Sequence, residues 1–411
     1  MIELLAPAGD MEKLKTAVHF GANAVYMAGK KFGLRAFAEN FTEDELKQAV
    51  EYAHERGVKV YVTVNVYAKE EDFDSLPEYL CYLKSIGADA VLVSDPGIVD
   101  LIRELVPGLN VHLSTQANTT NSFALRFWAK QGVKRIVLAR ECTLKEAAEM
   151  TLAGKLCGVE TEAFVHGAMC VSYSGRCLLS DFLTGRGGNR GECVQACRWN
   201  WKLTEPEDPE RSIYLSEDER GSYLLNSKDL RMIEHIPELI GTGIASMKIE
   251  GRNKSAYYVG TIVNAYRRAI DRYYFEGEKY TTDPELTEET VRAGHRSYTT
   301  GFYFGEKNKQ YYESSRAAMT YEFIAVVLSW ENGFALVEMR NRFGKGDLLN
   351  ILGAGRSFNK TFVVQSIKDQ DGNEIDDVYI VQQKVSINCP ERVFAGDILR
   401  REIKKKGEKA V

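Results

Sequence analysis

The run Leu76-Pro77-Glu78-Tyr79-Leu80-Cys81-Tyr82-Leu83-Lys84-Ser85-Ile86-Gly87-Ala88-Asp89-Ala90-Val91-Leu92-Val93-Ser94-Asp95 contains one whole structural unit. Leu76 to Ile86 is an amphipathic stretch, Gly87 stops it, and Ala90 to Val93 is an unbroken apolar run that ends on polar Ser94 and Asp95. A helix closed by glycine and followed by a buried strand is the αβ connection of a parallel sheet. The unit recurs along the first ~270 residues. Apolar runs lie at Ile2–Leu5, Ala24–Met27, Val58–Val66, Val111–Leu113, Arg135–Leu138, Thr161–Val165 and Ala245–Ile249. Amphipathic stretches such as Met11–Phe20, Thr42–His54 and Leu144–Leu152 separate them, with Gly21, Gly57, Gly132 and Gly154 as further stops. Eight such strands predict an α/β fold, a (β/α)8 TIM-like barrel over 1–275. No G-x-G-x-x-G turn follows the first strand, which argues against a dinucleotide fold.

Composition narrows the class. Of 411 residues, 44% are hydrophobic and 27% charged, enough for a sizeable core and too apolar for wholesale disorder. The net charge of −5 excludes a uniformly basic nucleic-acid binder, so any RNA contact must come from a local patch. Met1 to Pro7 lacks the basic start and apolar core of a signal peptide, and no run reaches the ~18 apolar residues of a membrane span. A soluble, cytoplasmic protein is expected, with no membrane partner.

Barrel enzymes work at the C-terminal ends of their strands. Here those ends carry Asp10, Asn65, Asp95, Ser114, Gln116, Asn118, Arg140 and Glu141. The seventh strand places Glu162, Phe164 and His166 on one parity, and the eighth does the same with Lys248, Glu250 and Arg252. Each could be a salt bridge or loop cap, but strand after strand ending polar points to a site. Glu162, His166 and Glu250 are the catalytic candidates. Gln116, Asn118, Arg140, Lys248 and Arg252 are the substrate-binding candidates, and the guanidinium and ammonium groups of Arg140, Lys248 and Arg252 suit a small dicarboxylic acid.

A long insertion, about 167–221, breaks the beat after strand seven, and long βα loops usually carry function. Four of the eight cysteines lie in it, Cys170, Cys177, Cys193 and Cys197, spaced C-x6-C-x15-C-x3-C among glycines. A structural zinc site favours C-x2-4-C pairs, which only Cys193 and Cys197 approach. A [4Fe–4S] cluster takes four thiolates at irregular spacing, and unrelated buried thiols are the third reading. Cys81, Cys142, Cys157 and Cys389 sit in apolar surroundings and read as small buried hydrophobes.

After a polar, tyrosine-rich connector (276–316), 317–411 changes to period two, with strands expected at Phe323–Leu328, Phe334–Met339, Thr361–Ile367 and Val378–Ile380. The motif Phe343-Gly344-Lys345-Gly346-Asp347-Leu348 is echoed by Phe394-Ala395-Gly396-Asp397-Ile398-Leu399. The expectation is a small C-terminal β-barrel with a basic tail (Arg400, Arg401, Lys404, Lys405, Lys406, Lys409), acting as a separable module that positions RNA.

The segments Glu162-Ala163-Phe164-Val165-His166-Gly167-Ala168-Met169-Cys170 and Ser174-Gly175-Arg176-Cys177-Leu178-Leu179-Ser180 resemble the signature of peptidase family U32, the collagenase-like proteins. Gly191-Glu192-Cys193, Cys197-Arg198, Ser114-Thr115-Gln116-Ala117-Asn118 and Lys248-Ile249-Glu250-Gly251-Arg252 extend the resemblance over nearly the whole chain. Length and the trailing β-domain most resemble the branch that makes 5-hydroxyuridine at the tRNA wobble position. That resemblance implies a [4Fe–4S] cluster on Cys170, Cys177, Cys193 and Cys197, prephenate as co-substrate, and tRNA as the target.

Three functions compete on the residues themselves. A peptidase would need H-E-x-x-H, which is absent, or a Cys–His pair, for which only His166 and Cys170 are near in sequence. RNA modification is supported by Arg176, Arg186, Arg190, Arg198 and Lys202 interleaved with Tyr173, Phe182, Trp199 and Trp201, a pattern for phosphate contact and base stacking. A non-catalytic zinc protein that binds RNA would explain the cysteines and basic residues but not the polar barrel mouth.

Overall fold

The computed structural model describes residues 1–34, 39–199, 227–305 and 318–403, together with the backbone of short strands at 203–205, 208–213, 217–218 and 221–222. Trp201, Lys202, the end of the expected connector and the lysines of the basic tail lie outside the described residues.

Eight parallel strands close into a barrel: β1 (Glu3–Pro7), β2 (Ala24–Met27), β3 (Lys59–Val64), β4 (Ala90–Val93), β5 (Asn110–Leu113), β6 (Arg135–Val137), β7 (Glu160–Ala168) and β8 (Ser246–Ile249). Ser246 pairs with both Glu162 and Glu3, which seals the ring. Helices α1 (Met11–His19), α2 (Glu43–His54), α3 (Leu76–Ser85), α4 (Pro96–Leu105), α5 (Ser122–Lys130) and α6 (Leu144–Cys157) follow the first six strands. Local chemistry starts them: Thr42 with Glu45 and Thr143 with Glu146 form reciprocal capping boxes on α2 and α6. Asp10 and Asp95, expected at the barrel mouth, are instead the N-caps of α1 and α4. Gly87 takes φ 82°, as a glycine stop requires. Gly154 does not end its helix. α6 runs through it to Gly158, and a Cβ at Gly154 would lie 2.6 Å from the Val159 carbonyl, so glycine is kept there for close packing.

Between β7 and β8 the barrel departs from regularity. The insertion holds a short helix, α7 (Leu179–Thr184), and the chain returns as a strand, Asp229–Arg231, antiparallel to the end of β7. The short α8 (Ile236–Gly241) then leads into β8, and α9 (Ala256–Glu276) closes the barrel wall. The described part of the connector is no free linker. It forms α10 (Pro284–Glu289), pairs Tyr298–Thr299 with the return strand, and buries Leu286, Ala293 and Tyr303 in the barrel core.

The C-terminal part is an antiparallel half-barrel sheet of seven strands: β9 (Tyr321–Glu331), β10 (Phe334–Met339), β11 (Leu348–Leu352), β12 (Thr361–Val363), β13 (Ile367–Lys368), β14 (Lys384–Asn388) and β15 (Ile398–Glu402). Their order is β12-β11-β15-β9-β10-β14-β13. The sequence echo is structural. Asp347 accepts from Gly344 N and Asp397 from Phe394 N, both at 2.9 Å, and each turn launches one of the paired strands β11 and β15.

Arg400 and Arg401 are not a solvated basic tail. Arg400 is wholly buried on Glu289 of α10, and Arg401 is paired with Glu322 and Asp347. Arg268 of α9 donates to the carbonyls of Gly353, Ala354 and Gly355, and His19 Nε2 lies 2.8 Å from Asp397. The sheet is thus joined to the barrel by buried polar contacts. Among the described residues, no helix is long and apolar enough to cross a membrane.

Candidate functional site at the barrel mouth

The strand ends enclose a small cavity of about 60 Å³, lined by Asn65, Ser114, Gln116, Arg140, Phe164, Lys248, Glu250 and Arg252, among others. The expected polar ring therefore converges, with three cations at its centre. Lys248 is 3% exposed, stands over the rings of Tyr26 (4.5 Å) and Phe164 (5.5 Å), and donates to Glu162 at 2.8 Å. Burial lowers its pKa, and the Glu162 carboxylate opposes that shift. Arg140 lies 4.1 Å over Phe164 and donates to Glu250 at 3.0 Å. Arg252 is anchored by Thr63 Oγ1 (3.3 Å) and the Leu34 carbonyl.

Glu162 does not line the cavity. It is fully buried beneath it, between Lys248 and Arg135 Nη1 (3.3 Å). Arg135 continues away from the mouth to Glu3 and to the exposed Glu160 (2.7 Å), and Tyr61 donates to Glu3 at 2.8 Å. This charged interior was missed in the sequence, although Arg135, Glu160 and Glu162 stand openly in otherwise apolar strands. Its effect is to hold the Lys248 ammonium in place from below.

His166 is also elsewhere. The β7–β8 register shifts between Lys248 and Ile249, so that Ile249 faces His166 while Lys248 faces Phe164. One extra residue on β7 reverses the alternation, the ordinary consequence of a β-bulge. His166 therefore leaves the Glu162–Phe164 face and packs among Tyr258, Tyr266 and Tyr298, with both tyrosine hydroxyls of the latter pair 3.4 Å from its ring nitrogens. Burial pushes its pKa well below 6.5, with Arg231, His295 and Lys254 adding to the shift. Asn118 and Glu141 are outside the cavity too. Asn118 ends a short 3-10 turn in the left-handed region (φ 57°), and burial raises the Glu141 pKa.

The insertion caps this mouth. Asn189 accepts from Tyr67 N at 3.0 Å, Arg190 pairs with Asp72 at 2.8 Å, and Gly175 sits against Gln116. Cys170, Cys193 and Cys197 line a second cavity, about 150 Å³, whose wall includes Arg140 and Glu250 of the mouth. Burial pushes the Cys197 thiol up to about 11, Arg198 opposes that, and Cys170, Cys193 and Cys177 add to the rise. Cys197 therefore lies within electrostatic reach of the other three thiols. Among the described residues, no group of three or more His, Cys, Asp or Glu side chains is arranged to hold a metal ion. Lys254 also lines this cavity, and it was missed although it continues the alternation of Lys248, Glu250 and Arg252.

Of the other cysteines, Cys142 and Cys389 are buried as expected, while Cys81 and Cys157 are exposed on helices. On the insertion's outer surface Tyr173, Phe182 and Trp199 are 60%, 87% and 43% exposed.

The comparisons agree with this architecture. Residues 9–313 match the model for peptidase family U32, and 319–400 match that for the peptidase family U32 C-terminal domain. The chain is 40% identical to tRNA hydroxylation protein P1 of Bacillus subtilis over 97% of its length and 94% of the relative's. It is 33% identical to tRNA hydroxylation protein P of Escherichia coli, covering 87% of this chain and 88% of that one. Against the Escherichia coli 23S rRNA 5-hydroxycytidine C2501 synthase, identity is 36% over 66% of this chain and 39% of the relative. A barrel with a cysteine-bearing insertion over its mouth and a family-specific C-terminal sheet together identify the chain as a member of peptidase family U32.

Proposed function

We propose that the chain hydroxylates RNA, specifically position 5 of the wobble uridine of tRNA, with prephenate as co-substrate and a [4Fe–4S] cluster on Cys170, Cys177, Cys193 and Cys197. One observation carries the reading: the cysteine cavity and the cationic mouth share a wall, the Arg140–Glu250 pair. The names of the relatives support RNA as the substrate and hydroxylation as the reaction.

The donor set fits such a group. Cys170, Cys193 and Cys197 line one cavity and Cys177 acts electrostatically on Cys197, so four soft thiol ligands of the kind such a cluster takes stand near one another. When bound, the cluster supplies one-electron redox chemistry beside the mouth. The chain's own residues do the rest. Lys248, positioned by Glu162, and the guanidinium groups of Arg140 and Arg252 receive one carboxylate of prephenate, because the 60 Å³ mouth has the room of about two waters and the rest of the molecule must extend out of it. Glu250 orients Arg140 between the two cavities. The exposed aromatics of the insertion offer stacking surface to an RNA loop.

A peptidase mechanism gains no support here, because His166 is enclosed by tyrosines while Cys170 opens on the other cavity. Mass spectrometry of tRNA nucleosides tests the proposal. In a strain lacking such proteins, the wild-type chain restores 5-hydroxyuridine and the Arg140→Ala variant does not. Absence of the nucleoside with abundant, folded wild-type protein would refute it.

A further inference from the structure

Beside the mouth lies a larger cavity, about 240 Å³, between the insertion and the rims of β3, β4 and β5. Asn65 and Gln116 belong to both cavities. At about 30 Å³ per water it holds about eight waters, the space of one six-membered base with its eight non-hydrogen atoms. Tyr67 and Trp128 give it aromatic walls, and Arg176 stands at its edge. The Gln116 Oε1 atom is buried and has no hydrogen-bond partner among the described residues. Buried acceptors are nearly always paired, so an unpaired one on a side chain that lines a cavity points to a donor supplied by a ligand, which the carboxamide meets by turning toward the cavity. Gly175, at φ 75°, packs directly against this acceptor and leaves no room for a side chain there. A Cβ there would lie 2.8 Å from the Gln116 carbonyl and 2.9 Å from its Oε1.

We infer that this cavity is the pocket for one unpaired pyrimidine base, with Gln116 as its hydrogen-bonding anchor; the inference rests on the RNA-modification reading above. A carboxamide presents an acceptor beside a donor, which matches the N3–H and neighbouring carbonyl of uracil with two parallel hydrogen bonds. Tyr67 and Trp128 supply the stacking that a base lifted out of an RNA loop needs, and Arg176 meets its phosphate. The base then lies next to the cationic mouth, with Gln116 on the shared wall.

The test is fluorescence polarisation with RNA hairpins identical except at one loop position, which carries uridine, N3-methyluridine or an abasic site. Wild-type protein should bind the uridine hairpin about tenfold tighter than the other two, the effect of a hydrogen-bonded base edge. Gln116→Leu should lose that preference while keeping its affinity for the abasic hairpin, and Gln116→Asn, which draws the amide back, should shift the same way. Equal binding of all three hairpins by wild-type protein, or equal weakening of all three by Gln116→Leu, would overturn the pocket. The two readings fail separately. If tRNA carries 5-hydroxyuridine while the protein ignores the base, the pocket falls and the function stands. If Gln116-dependent preference is found in a chain that makes no 5-hydroxyuridine, the pocket stands and the function falls.

Discussion

Replacing Arg400 by methionine should destabilise the whole chain, although the residue sits in the last strand of the described fold. Arg400 and Glu289 are both fully buried. The guanidinium also donates to Asn350 (2.7 Å) and Asn359 (2.6 Å). Methionine fills much of the volume but leaves the Glu289 carboxylate in the interior, and breaking a buried pair in this way costs roughly 3–5 kcal/mol. Arg292 stays 2.9 Å from Glu289, so the lower end, about 3 kcal/mol, is expected. In urea that lowers the unfolding midpoint by about 1 M. Glu289→Gln alone should also destabilise, whereas the double variant should lose much less than the sum, because neither charge is then stranded. A midpoint within about 0.3 M of wild type, or strictly additive losses, would refute the claim that this pair holds the sheet to the barrel.

Other outcomes follow from the site and its surroundings. Burial lowers the pKa of His295 to about 4 and that of His166 well below 6.5, so both are neutral in the folded chain. Unfolded histidines take up protons below about 6.5, so this contribution is complete above that pH and is lost as the pH falls toward 4. Urea midpoints should drop from pH 7 to pH 5 and drop less in His295→Asn; an equal drop would contradict the assignment. Calorimetry should show prephenate binding to wild type and roughly ten- to hundredfold weaker binding to Arg140→Ala, as for a lost charged hydrogen bond. No binding by wild type, or equal binding by the variant, would exclude the anion site. Phe182→Ala should weaken binding of an anticodon hairpin without moving the urea midpoint or the salt slope, since stacking is not counterion release. A changed slope would mean the contact is not stacking.

The barrel was legible because each αβ unit carries its own punctuation, as Gly87 and the run Ala90–Val93 show. The convergence of Gln116, Arg140, Lys248, Glu250 and Arg252 followed from strand-end placement alone. Strand parity failed at His166, because a bulge adds one residue that no period-two count reveals. Asp10 and Asp95 were ambiguous in principle: a helix cap and a mouth carboxylate occupy the same place after a strand. Arg400 was misread because charge next to a lysine-rich end suggests solvent, while its partner Glu289 lies far off in sequence. Strands β11, β14 and β15 were missed as strands, but the echoed turns that launch two of them were visible as a repeat.

The proposed chemistry depends on four thiolates of one insertion beside a cationic mouth. Metal and sulfide analysis of protein purified without oxygen tests it most directly. The prediction is a brown protein with about four irons and about four sulfides per chain. Replacing Cys170, Cys177, Cys193 or Cys197 by serine should abolish that content, while Cys81→Ala, Cys142→Ala and Cys389→Ala keep it. Stoichiometric zinc without iron or sulfide, or iron retained after loss of any of the four cysteines, would contradict it.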